Sequence, residues 1–292
     1  MIRSPLLRSE LRLALLLAAL AAAPTVHAET VATPAARDVI ASRFSQDPAA
    51  QSLVLSLFDT DADVVATLPP QLINGGYRGM IQLVPALPVG PDRKHLAWVA
   101  AAMHDFDDFF AALATRSPAA IRYRWRGLTV QFFRSVGKTT PNAFASDWTI
   151  AYNVNGSIDT SAAAARETLF HEIFHLDDED HGDWSPAHLT APRDAIVRRC
   201  GARTACLAPY APTSTIVRRG TYYAFQPGND VREYAAEVAL RWYREQRAIL
   251  RGEHFDGQPF KCGPEENRVA WEAIGEEFFG GVDLVPPCAH PR

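Results

Sequence analysis

No apolar run in this 292-residue chain is long enough to cross a membrane. The longest, Leu13 to Ala23, has eleven residues, where ~20 are needed to span the hydrocarbon core. No C-x-x-C pair occurs, so a metal site built on the cysteines is a weak reading. A G-x-S-x-G elbow, a P-loop and a dinucleotide fingerprint are absent too, which removes the commonest serine-hydrolase, NTPase and nicotinamide readings. An excess of positive charge is also lacking. The formal net charge is −4, which argues against nucleic acid or an anionic membrane as a partner.

What is present begins with a leader. Arg3, Arg8 and Arg12 precede the apolar run, and Val26-His27-Ala28 supplies small residues where signal peptidase reads. Residues 1–28 are expected to be a cleaved signal peptide, making the protein secreted or periplasmic. Four cysteines lie in the C-terminal half, and an even count in an exported chain predicts disulfides. Proximity favours Cys200 with Cys206 and Cys262 with Cys288. Residues 29–90 read as an N-terminal extension or as part of the same domain, and residues 91–292 as the catalytic domain. Hydrophobic residues make up 48%, enough for a real core. The oligomeric state leaves no mark in the sequence.

Helical signals over Asp38 to Phe58 give one or two short helices. Pro69-Pro70, Asn74-Gly75-Gly76 and Pro85, Pro88 and Pro91 then punctuate a connecting stretch. From Arg93 to Ala114, apolar residues recur every three or four positions, predicting a helix. Ile121–Trp125, Leu128–Phe133 and Trp148–Val154 alternate like strands, with Arg126-Gly127 as a turn. Asp59, Asp61 and Asp63 resemble the start of a calcium loop. Val64 and Pro70 stand where that loop needs Gly and Glu, so the segment reads as a polar turn.

The segment that most restricts the chemistry is His171-Glu172-Ile173-Phe174-His175, an H-E-x-x-H. Thr160 or Ser161 would cap its helix, which should run from about Ala162 to Leu176. Histidines four residues apart share one helix face and can bind one zinc ion, with Glu172 placed to act as general base. Leu169, Phe170, Ile173 and Phe174 form the opposite, apolar face. The pattern therefore points to hydrolysis of a peptide or protein substrate.

A third ligand has several candidates. Asp230 can cap a helix running to about Arg247, with Glu233 three residues on as in a capping box. Glu233 and Glu237 would share the side opposite the apolar stripe, so that one ligates and the other hydrogen-bonds a ligand histidine. Alternatively they form a solvated acidic face. His181 lies ten residues after His171, the metzincin spacing, but Asp178 stands at the glycine position. Asp177, Asp178, Asp180 and Asp183 are further candidates, though they read better as a solvated acidic run.

H-E-I-F-H followed by E-Y-A-A-E (Glu233 to Glu237) resembles the gluzincin class of zinc metallopeptidases. It is most similar to the branch related to anthrax lethal factor. The resemblance covers Thr160 to Arg247 and rests on these two motifs. It implies an α+β zincin-like fold, with a mixed sheet over the H-E-x-x-H helix and a C-terminal helical part. It also implies zinc held by His171, His175 and Glu233, with Glu172 as catalytic base and Glu237 behind a ligand. A tyrosine upstream of the second motif would assist the reaction. Tyr223 is the nearer of two candidates here, with Tyr222, although both lie about three residues further upstream than the pattern expects. Gly220-Thr221-Tyr222-Tyr223 is similar to an aspzincin segment but lacks its aspartate. The competing readings are a catalytically silent zincin-fold binding protein, a metzincin-like site using His181, and a structural site closed by both His181 and Glu233.

Overall fold

The computed structural model describes residues 34–217, 220–253 and 257–288. The expected leader, residues 1–28, lies outside them. The chain opens with helices α1 (Pro34–Arg43) and α2 (Pro48–Asp61). Asp47 starts α2 by accepting a hydrogen bond from Ala50 N at 3.1 Å, with Pro48 following it. Asp61 and Asp63, expected in a solvated turn, are buried instead. Asp63 turns inward because its Oδ1 accepts a hydrogen bond from Leu128 N at 2.8 Å.

Strands β1 (Val64–Thr67), β2 (Gln71–Asn74) and β3 (Met80–Pro85) follow, in the stretch expected only to connect. Then come α3 (Arg93–Ala114), β4 (Thr129–Ser135), β5 (Ala143–Ser146) and β6 (Thr149–Asn153). The sheet runs β2-β3-β4-β6-β5. Pairs β4–β6 and β1–β4 are parallel, while β2–β3, β3–β4 and β5–β6 are antiparallel. β1 lies along the first half of β4 and β3 along its end, so the two share one edge of that strand. The result is a mixed sheet with helices, in keeping with the expected α+β class.

Ile121–Trp125 is not a strand. It passes the end of the C-terminal helix, with Arg122 N and Tyr123 N both donating to Phe278 O and Arg124 N donating to Asp177 Oδ1. Its backbone groups are met by a helix end and a carboxylate, so no ladder forms.

The second half is helical: α4 (Ala162–Asp180), α5 (Trp184–Cys200), α6 (Thr204–Leu207), α7 (Val231–Arg251) and α8 (Glu265–Phe278). Ser161 caps α4, its Oγ accepting from Ala164 N at 3.2 Å. Asp230 caps α7, accepting from Arg232 N at 2.9 Å. Gly252, with φ of 64°, ends α7 in the left-handed conformation that glycine adopts at least cost. The disulfides are Cys200–Cys206 and Cys262–Cys288, the pairing that proximity favoured.

One buried cluster joins these parts. Val65, Val130, Phe132, Ile150 and Tyr152 on one face of the sheet pack with α2, α3, α4, α7 and α8. The other face carries a smaller cluster of Leu68, Ile81, Leu83, Phe133 and Ala151. At the centre, Phe170 of α4 stacks between Tyr123 and Tyr243, with ring centroids 5.0 and 4.3 Å away. This stack fixes the rotation of α4 about its own axis. With Phe170 held inward, His171 and His175 are turned toward α7. Among the described residues, no helix is long and apolar enough to cross a membrane.

Candidate metal centre

The site is built from two helices that each present residues one turn apart. α4 offers His171 and His175, and α7 offers Glu233 and Glu237. Leu169, Phe170, Ile173 and Phe174 are fully buried and anchor α4 in the core, as the apolar phase predicted. Val231, Tyr234, Ala235, Val238 and Trp242 do the same for α7.

Three ligand atoms converge. His171 Nε2 lies 3.1 Å from His175 Nε2 and 3.2 Å from Glu233 Oε2, and His175 Nε2 lies 3.7 Å from that same oxygen. These residues could hold a metal ion. A tetrahedral ion with bonds of about 2.0–2.1 Å keeps its ligand atoms roughly 3.3 Å apart, which is the size of this triangle. Two imidazole nitrogens facing each other at 3.1 Å repel unless a proton or cation lies between them. Solvent reaches the site at His175 and Glu233, whose side chains are 20% and 27% exposed.

Glu233 does not complete a capping box. Its carboxylate turns to the histidines, and the Asp230 cap bonds Arg232 N rather than Glu233 N. Glu237 is buried beneath the site. Its Oε1 lies 3.2 Å from His171 Nδ1, and its Oε2 accepts a hydrogen bond from Thr213 Oγ1. Both ring nitrogens of His171 are thus engaged. Tyr223 is at the site too: its ring centroid lies 6.0 Å from that of His171, and its hydroxyl is close enough to feel the charge of Glu233.

The electrostatics follow from burial and pairing. Burial opposes charge on His171, but hydrogen bonds to Glu233 and Glu237 outweigh it and hold the imidazole well above its ordinary pKa. Burial alone would raise Glu233, yet the His171 hydrogen bond and the nearby His175 ring hold its carboxyl far below the usual range. Glu172 is buried, and burial pushes its carboxyl up, with His171 and His175 pulling it part of the way back. Burial, then the charges of Glu233 and Glu172, push the Tyr223 hydroxyl up.

The other candidates are elsewhere. His181 ends α4, where its Nδ1 lies 2.8 Å from Glu277 Oε1 and its ring stacks on Phe278. Asp177 and Asp178, expected in a solvated run, are buried braces. Asp177 takes Arg124 N, and Asp178 takes the backbone N–H and hydroxyl of Ser185 at 2.7 and 2.6 Å. Asp180 Oδ2 accepts from Trp148 Nε1, and Asp183 pairs with Arg232. The sequence reading missed Thr213, because no motif surrounds it. Its partner is 24 residues away, and only the fold brings the two together.

Comparison with protein-family models, with curated proteins and with solved structures finds no match. The functional reading therefore rests on the geometry of the site.

Proposed function

We propose that the protein is an exported, zinc-dependent metallopeptidase of gluzincin type. The observation that carries this reading is the triangle of His171 Nε2, His175 Nε2 and Glu233 Oε2, with buried Glu172 on the same helix. Two imidazoles and a carboxylate are a zinc donor set, and their spacing suits that ion. Among the described residues the group has three members. Structural zinc sites take four protein ligands, whereas catalytic ones take three and keep a position open. With His181 held by Glu277, the metzincin-like site and the closed structural site have little support. Two disulfides fit an oxidising compartment and so support export.

When bound, zinc would polarise a substrate carbonyl and acidify a water. The protein's own part is to place and move protons. Glu172, its carboxyl already raised by burial, is suited to accept a proton from water and return it to the departing amine. Glu237 orients His171 by accepting from Nδ1, leaving Nε2 free to ligate. The nearness of the Tyr223 ring to His171 supports a role for its hydroxyl in donating to a substrate oxygen. Among the described residues β5 ends the sheet and packs against α4, which supports its edge as the place where an extended peptide would pair.

The test is metal analysis with one variant. Glu172→Gln keeps shape and removes the base. It should retain one zinc per chain and lose at least about a hundredfold in casein or peptide-library hydrolysis. Full hydrolysis by a zinc-loaded Glu172→Gln protein would sink the mechanism. A wild-type protein that binds zinc and hydrolyses no peptide would favour the silent binding protein.

A further inference from the structure

We infer that Thr213 is a positioning residue for the metal centre, acting on His171 through Glu237. The inference rests on the reading of His171, His175 and Glu233 as metal ligands.

Thr213 and Glu237 are both buried, and the Thr213 hydroxyl donates to Glu237 Oε2. The other oxygen of that carboxylate, Oε1, lies 3.2 Å from His171 Nδ1. Nε2 of the same ring is the atom that faces His175 and Glu233. The three groups therefore form a line from a loop hydroxyl, through a carboxylate and an imidazole, to the metal position. A carboxylate on three rotatable bonds has no fixed plane when only one of its oxygens is held. Thr213 supplies the second point of contact and so sets the direction from which Oε1 meets Nδ1.

The loop itself is braced. Asn267 Nδ2 donates to Pro209 O at 3.0 Å just before it. Ile216 and Tyr222 form a two-residue bridge, with Val217 N donating to Thr221 O and Tyr223 N to Thr215 O. The same loop carries Tyr223, whose ring lies 6.0 Å from that of His171. One segment thus holds Glu237 of α7 through Thr213 and sets Tyr223 beside His171. Removal of the Thr213 hydroxyl would leave Glu237 Oε2 buried without its donor, and the carboxylate would have to turn to find another. Groups that hydrogen-bond a metal ligand directly, as Glu237 does, typically change affinity by about 10–100-fold, and a group one step further out should act at the lower end of that range.

The experiment measures zinc affinity of the metal-stripped full chain by competition with a chromogenic chelator. Thr213→Val, close to the native shape, should bind zinc roughly 10-fold more weakly, the lower end of the range for groups bonded directly to a ligand. Thr213→Ser, which keeps the hydroxyl, should stay within about threefold of wild type. Because Thr213 acts through Glu237, Thr213→Val added to Glu237→Gln should weaken binding no further than Glu237→Gln alone. Equal affinity of Thr213→Val and wild type would overturn the inference, as would equal losses in the Val and Ser variants. Additive losses in the double variant would overturn it too. If wild type binds no zinc, the metal reading falls and this inference with it. If wild type binds zinc tightly and Thr213→Val matches it, this inference falls alone.

Discussion

Glu233→Gln is the sharpest perturbation of the metal reading, because it keeps the side-chain volume and one oxygen while removing the charge. In the structure Glu233 Oε2 is 3.2 and 3.7 Å from the two histidine nitrogens and is the one anionic corner of the triangle. At free zinc of 100 times Kd, binding stabilises the native state by about 2.7 kcal/mol. For a domain of this size that raises Tm by roughly 5–11 °C, at about 2–4 °C per kcal/mol. Loss of a direct ligand should weaken binding at least as much as loss of an outer partner, so about a hundredfold. The same free zinc then only equals Kd, and the stabilisation falls to about 0.4 kcal/mol, or roughly 1 °C. The assay is calorimetric melting with buffered zinc and with chelator, on wild type, Glu233→Gln and His181→Ala. His181→Ala should keep the full zinc-dependent rise, since that ring is paired with Glu277. If Glu233→Gln keeps the full rise while His181→Ala loses it, the third ligand has been misassigned and the gluzincin reading is wrong.

Two further outcomes test the scaffold. Burial pushes the Asp63 carboxyl up to about 8, so the folded state holds a proton that the unfolded chain releases near pH 4. Between those values the native state binds more protons, and this group's contribution makes stability fall as pH rises, by up to about 1.4 kcal/mol per pH unit. Asp63→Asn should flatten that slope in urea melts between pH 5 and 8, and an unchanged slope would refute the assignment. The disulfides close loops of different length, with sequence separations of 6 and 26. Loop-closure entropy then predicts that Cys262→Ser costs about 3–4 kcal/mol and Cys200→Ser about 2–3, measured by guanidinium unfolding. A larger loss at Cys200 would show that loop length does not set the order.

How much of this was legible in the sequence depended on distance along the chain. The α3 limits, the Ser161 and Asp230 caps and the inward face of α4 are local, and each follows from a period or a capping residue within a few positions. Both disulfides obeyed proximity for the same reason. β1, β2 and β3 were hidden, because strands of four to six residues among Pro and Gly acquire their identity from partners elsewhere in the chain, as Val65 does from Val130. Ile121–Trp125 failed in the opposite sense. Its alternation is real, but its amides are claimed by Phe278 O and Asp177 before any strand can pair with them. The acidic run after the metal helix misled by composition, since Asp177 and Asp178 each satisfy backbone N–H groups inside the fold.

The site divides along the same line. His171, Glu172 and His175 form a local pattern whose helical phase alone says which way they face. Glu233 and Glu237 were readable only as a pair one turn apart on a second helix, and their meeting with α4 required the fold. That meeting depends on Phe170, stacked between Tyr123 and Tyr243. Because Tyr243 lies on α7, as Glu233 and Glu237 do, one aromatic contact sets both the rotation of α4 and its register against α7. The core beneath the site is therefore what brings two nitrogens and an oxygen to the spacing of a single ion.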